Sequence, residues 1–106
     1  MYQLFGTKKC KETQKAIRYF KERNIKFHFV DLNIKKLSNG ELNNILQFYS
    51  IDEIIDTYSK EYVSKNFQYI THDKIKIALE FPLILKTPII RFNKKVIMGF
   101  NEKRLI

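Results

Sequence analysis

The sequence predicts one α/β domain on a mixed four-stranded sheet, in the order βαβ, helical insertion, ββα. Three observations carry that prediction. Strand, helix and strand patterns succeed one another within residues 2–30, as in a βαβ unit. A block with helical spacing and repeated capping signals fills residues 38–82. Two β-rich runs then flank Asn93-Lys94, as in a hairpin. At 106 residues the chain has room for a single core, so residues 1–106 read as one domain.

Taken in order, Tyr2-Gln-Leu-Phe5 is a short buried strand ending at the turn residue Gly6. From about Lys11 to Asn24, Thr13, Ala16, Ile17 and Phe20 share one helical face, with Lys, Gln, Arg and Glu opposite. Ile25–Val30 is the second strand, with Phe27 and Phe29 on one face. A βαβ connection makes these strands parallel and the crossover right-handed.

After a connector, Ser38-Asn-Gly-Glu41 has capping-box spacing and starts a helix carrying Leu42, Ile45, Leu46 and Tyr49. Ser50-Ile-Asp-Glu53 repeats the signature before Ile54 and Ile55. A further helical or irregular stretch runs through Tyr58, Tyr62 and Val63, where Tyr58 reads as a packing residue. Thr71 caps another helix through Asp73, with Ile75, Ala78 and Leu79 inward and Pro82 at or just beyond its end. Thr87–Phe92 and Lys95–Met98 form an antiparallel hairpin. Pro88 opens its strand there, because it cannot donate a ladder hydrogen bond. Asn101-Glu102 resembles a final helix start.

The chemistry centres on Cys10, the sole cysteine, placed where the first helix begins. Helix N-termini present unpaired N–H groups and a positive partial charge, so a thiolate is favoured there over a thiol. Lys8, Lys9 and Lys11 flank it and add positive field, both lowering the sulfur's pKa and attracting an anionic substrate. Thr13, one turn on, can offer its hydroxyl to the sulfur. A lone cysteine excludes an internal disulfide. With no secretory leader read at the N-terminus, a reducing cytoplasm is expected.

Other classes are disfavoured. The longest apolar run, Phe81–Leu85, is far shorter than a bilayer span. The net charge of +9 comes mostly from lysines spread along the chain and interspersed with Asp and Glu. This reads as a solvated surface, and no direct nucleic-acid contact is expected. His28 and His72 have no ligand spacing with Cys10, so no metal is expected.

Three segments carry a family resemblance: Phe5-Gly-Thr-Lys-Lys-Cys10-Lys-Glu-Thr-Gln-Lys-Ala16, Asp52-Glu-Ile-Ile-Asp-Thr-Tyr-Ser-Lys60, and Leu85-Lys-Thr-Pro-Ile-Ile90 followed by Gly99-Phe-Asn-Glu102. The chain resembles the arsenate-reductase-like family of the thioredoxin fold, which contains ArsC, Spx and small glutaredoxin-like relatives such as YffB. The resemblance implies a thioredoxin-like fold with a helical insertion at about 38–82. It also implies a nucleophile at Cys10 and a cis-proline at Pro88, beside which Thr87 and Pro88 present backbone to a peptide or glutathione. It further places Tyr58 and Thr87 where arsenate reductases carry oxyanion-binding arginines, with none at Gly99–Asn101. The second cysteine of an Spx-type Cys-x-x-Cys switch is replaced by Thr13.

These readings converge on a glutaredoxin-like thiol–disulfide oxidoreductase using Cys10 and an external thiol. No tightly bound cofactor is expected; glutathione or another low-molecular-weight thiol would act as co-substrate. The alternative is an Spx-like transcription regulator or interaction module that binds RNA polymerase. The third reading is an arsenate reductase with an altered oxyanion site.

Overall fold

The structure is a computed structural model that describes residues 1–67 and 73–100. Its sheet runs β2-β1-β3-β4, with β1 (Tyr2–Gly6) parallel to β2 (Phe27–Asp31) and antiparallel to β3 (Ile89–Phe92). Strand β3 pairs antiparallel with β4 (Lys95–Met98). The hairpin turn places both Asn93 and Lys94 at positive φ, +50° and +65°. Positive φ at both central positions is what a two-residue turn needs to match the twist of its strands.

Alternation along the two central strands divides the core. Leu4 pairs with Ile90 and Phe5 with Ile89, so adjacent residues face opposite sides of the sheet. On the Leu4–Ile90 side lies α1 (Lys11–Glu22), which buries Ala16, Tyr19 and Phe20. Phe27 and Phe29 pack on this same side, as their spacing predicts. On the Phe5–Ile89 side lies the helical insertion, which contributes Leu42, Ile45, Ile54, Ile55, Ala78 and Ile84. Both central strands are therefore covered on both faces and apolar at consecutive positions.

The insertion comprises α2 (Asn39–Leu46), α3 (Ile51–Ile54), α4 (Lys60–Ser64) and α5 (Lys74–Glu80), then a 3-10 turn over Pro82–Ile84. Ser38 and Ser50 both form complete capping boxes, with Glu41 and Glu53 returning the bond to the cap. Short helices gain little from propensity, so such caps and packing hold them. Arg91 fastens α2 to the sheet: its Nε donates to Asn44 Oδ1 at 2.8 Å and its Nη1 to Gln3 Oε1 at 2.8 Å. Glu41 lies 3.8 Å from the same guanidinium, and Asn44 Nδ2 donates to the Lys94 carbonyl at 3.1 Å.

Several boundaries differ from the sequence reading. α1 ends at Glu22, and Asn24 takes φ +54° just beyond it, a conformation Asn tolerates. β2 begins at Phe27 rather than Ile25, and Tyr49 lies past the end of α2, accepting a bond from Met98 N at 3.2 Å. Ile75 faces solvent at 43% exposure while Ile77 packs inward, because α5 docks against the Pro82–Ile84 turn with Ile77 and Ala78 toward the core. Thr71 falls outside the described residues, as does the helix start expected at Asn101-Glu102. Tyr58 is not a packing residue. It stands 92% exposed in the turn before α4, where the Asp56 side chain accepts from its N–H. Pro82 opens the 3-10 turn, and Pro88 directly precedes β3. Among the described residues no helix is long and apolar enough to cross a membrane.

Candidate thiol site

The sheet register builds the site. Because Phe5 of β1 faces Ile89 of β3 in antiparallel fashion, the C-terminal end of β1 and the N-terminal end of β3 meet at one edge. The loop leaving β1 carries Cys10, and the segment entering β3 carries Thr87 and Pro88. The Cys10 thiol donates to the Thr87 carbonyl oxygen at 3.7 Å, and the Thr87–Pro88 bond is cis. Residues 77 positions apart thus form one surface.

Cys10 is the N-cap of α1, with extended backbone (φ −72°, ψ 119°), and is half-buried. As a thiol it makes no capping bond. As a thiolate it faces the donors of the first helical turn. Burial pushes its pKa up, but hydrogen bonds from the Thr13 and Thr87 side chains and from the Thr13 and Glu12 N–H groups outweigh this. The net pKa lies below that of an ordinary thiol. An N-cap oxygen accepts from the second and third helical N–H groups, and here an ionised sulfur stands in that position. Around it, Cys10 N donates to Thr7 O at 3.2 Å, and Gln14 Nε2 donates to Lys8 O at 2.6 Å, closing the loop onto the helix.

Thr13 is fully buried, and among the described residues its Oγ1 has no partner beyond the sulfur it faces when Cys10 is ionised. A buried hydroxyl without a standing partner costs stability, and it is free to answer charge on the thiolate. Pro88 is also fully buried, while Thr87 remains partly exposed.

The structure therefore brings Cys10, Thr13, Thr87 and Pro88 together. It does not gather the lysines. Lys8, Lys9 and Lys11 are all exposed, and hydrogen bonds rather than their charges lead the causes that lower the Cys10 pKa. Water between an exposed ammonium and the sulfur screens the attraction that sequence proximity suggests. Lys8 borders a shallow depression of about 310 Å³ with Phe29, Ile34 and Lys35. Lys9 borders a different one, of about 370 Å³, with Asn33, Lys60, Glu61 and Leu83.

Arg91, the arginine nearest the proline in sequence, is committed to Asn44, Gln3 and Glu41. No group of three or more His, Cys, Asp or Glu suited to a metal occurs among the described residues. Sequence reasoning treated Gly6 only as a turn residue. Its closeness to Thr13 depends on packing between β1 and α1, and no spacing signal announces it.

A cysteine at the first helical cap, opposite a cis-proline at the head of the third strand, defines a recognisable arrangement. The ArsC family model matches residues 5–105. The chain belongs to the ArsC family. The Spx global transcriptional regulator of Staphylococcus aureus is 30% identical over 110 residues, covering 99% of this chain and 84% of that protein. The regulatory protein MgsR of Bacillus subtilis is 28% identical, covering 92% and 81%. Among solved structures, an ArsC family related protein from Bacteroides fragilis superposes with a TM-score of 0.82 at 17% identity, covering 98% and 93%. Arsenate reductase from Vibrio cholerae gives 0.77 at 14% identity, covering 92% and 88%. These ArsC structures share its thioredoxin-like fold.

Proposed function

We propose that this ArsC-family protein is a glutaredoxin-like thiol–disulfide oxidoreductase working through Cys10 alone. The observation that supports it is a half-buried sulfur at a helix cap, with hydrogen-bond donors directed at its ionised form. The Cys10 thiolate attacks one sulfur of a substrate disulfide. The S–S bond breaks, the second sulfur leaves as a thiolate, and Cys10 is held in a mixed disulfide. An external thiol such as glutathione then attacks that mixed disulfide and restores the Cys10 thiolate. The group held on Cys10 leaves in a new disulfide with that thiol, so one external thiol is consumed for each substrate disulfide opened. Thr13 stands where a resolving cysteine would, so the second step needs the external donor. Thr87 and Pro88 offer the backbone beside which the substrate lies, and Lys8, Lys9 and Lys11 draw in an anionic one.

The test is glutathione-dependent reduction of a glutathionylated peptide, with wild type and Cys10→Ser compared. Turnover that vanishes in the variant supports the reading. Equal rates in both, or none above the uncatalysed reaction, reject it.

A second reading, a transcription regulator that binds a protein such as RNA polymerase, draws support from relatives named as transcriptional regulators at 27–30% identity. A stoichiometric complex with purified RNA polymerase that survives Cys10→Ser would favour it over catalysis. An arsenate reductase with a rebuilt oxyanion site is the third reading, weakened by the commitment of Arg91 to α2. A bidentate guanidinium is the natural oxyanion clamp. Arsenate-dependent oxidation of a thiol donor tests it.

A further inference from the structure

We propose that Gly6 is a positioning residue for Cys10, acting through the side chain of Thr13; this rests on the thiolate reading above. Gly6 ends β1, and its backbone is held by pairing with Asp31 and by the bond from Leu32 N to its carbonyl at 2.9 Å. Its φ is unremarkable, so conformational freedom does not explain a glycine there. The reason is space. A Cβ on Gly6 would fall inside contact distance of Thr13 Oγ1, 2.8 Å from Cγ2 and 3.2 Å from Cβ. The whole Thr13 side chain therefore rests on the bare Cα of Gly6.

The β-branched side chain makes this contact a lock. Both Thr13 branches face Gly6, so any other χ1 rotamer still leaves one heavy atom on that side. An alanine at position 6 leaves Thr13 no rotamer that avoids it, and helix α1 must shift or the hydroxyl must leave its place. That hydroxyl is fully buried and has no other partner among the described residues, which leaves it to answer the sulfur at the cap. Gly6 touches neither sulfur nor substrate in this scheme. It holds the donor that does.

The experiment measures the rate of iodoacetamide alkylation of Cys10 against pH in the full chain, for wild type, Gly6→Ala, Thr13→Val and the double variant. Gly6→Ala is expected to raise the apparent pKa of Cys10 by about one, the scale of one hydrogen bond to a charged group. Thr13→Val should raise it similarly, and adding Gly6→Ala to Thr13→Val should raise it no further. A purely structural glycine would lower the melting temperature without moving this pKa. A folded Gly6→Ala protein with the wild-type pKa overturns the proposal.

Should Gly6→Ala not fold, Thr13→Ser and Gly6→Ala/Thr13→Ser give the same comparison, because serine has one heavy branch that can rotate away. The pKa is expected to rise from the single to the double variant; equal values overturn the proposal. Failure of the underlying thiolate reading looks different: wild type itself would then titrate near ~8.5.

Discussion

The Cys10 sulfur and the Thr87 carbonyl oxygen stand 3.7 Å apart across 77 residues of sequence. The contact is a consequence of strand register: β1 and β3 run antiparallel, so the chain leaving one meets the chain entering the other. It makes the candidate site a joint product of the first and last thirds of the fold.

The Cys10 pKa lies below its unfolded value, so the thiolate is more favourable in the folded chain. The stability this confers is fully present above the unfolded pKa of ~8.5 and is lost as pH falls through the folded pKa. Urea denaturation of wild type and Cys10→Ser across that interval should show wild type gaining on the variant as pH rises. A constant difference between the two would contradict the thiolate assignment.

Thr13→Val should separate stability from reactivity. The substitution keeps the shape and removes a buried hydroxyl that has no standing partner. Stability is therefore expected to hold or to rise by up to ~1 kcal/mol, while the thiolate loses a donor and alkylation at neutral pH slows. Thermal melting and alkylation rates on the same samples check both halves. A large loss of stability would mean that the hydroxyl has a structural partner after all.

Arg91 is a structural latch. Arg91→Met should cost about 1–3 kcal/mol by chemical denaturation, because Asn44 and Gln3 each lose a partner. The pKa of Cys10 should not move. An Arg91–Asn44 double-mutant cycle should return a coupling of at least ~0.5 kcal/mol. A slowed Cys10 reaction in a stable Arg91→Met protein would show that this arginine acts on the site as well.

The hairpin turn carries a correctable strain. Lys94 sits at φ +65°, where a side chain is disfavoured by about 1 kcal/mol and glycine is not. Lys94→Gly should stabilise the fold by up to that amount, with no change in Cys10 reactivity. An unchanged or lowered midpoint in denaturant would show that the lysine side chain offsets the strain.

Much of this fold was legible in local patterns. Ser38 and Ser50 cap their helices with Glu41 and Glu53 as the spacing predicts, since a capping box is closed by residues three apart. Asn93-Lys94 forms its hairpin because flanking β-rich runs of matched length leave two residues to turn. The phase of α5 is not legible there: Ile75 and Ile77 are chemically equivalent, and docking of the helix on the Pro82–Ile84 turn decides which packs inward. The lysines beside Cys10 misled for a similar reason. Adjacency in sequence places charges near the sulfur, but solvent exposure decides how strongly they act on it.

The sequence by itself determined the order of elements, the cysteine at the head of a helix and the proline before the third strand. Periodicity, caps and turn residues act over a few positions, and they are written in the chain. Tertiary structure alone decided that Thr87 meets Cys10, that Gly6 leaves room for Thr13, and that Arg91 binds α2 rather than the site. Each of these depends on distances between segments far apart in the chain, and those distances exist only once the sheet has paired and its two faces have been covered.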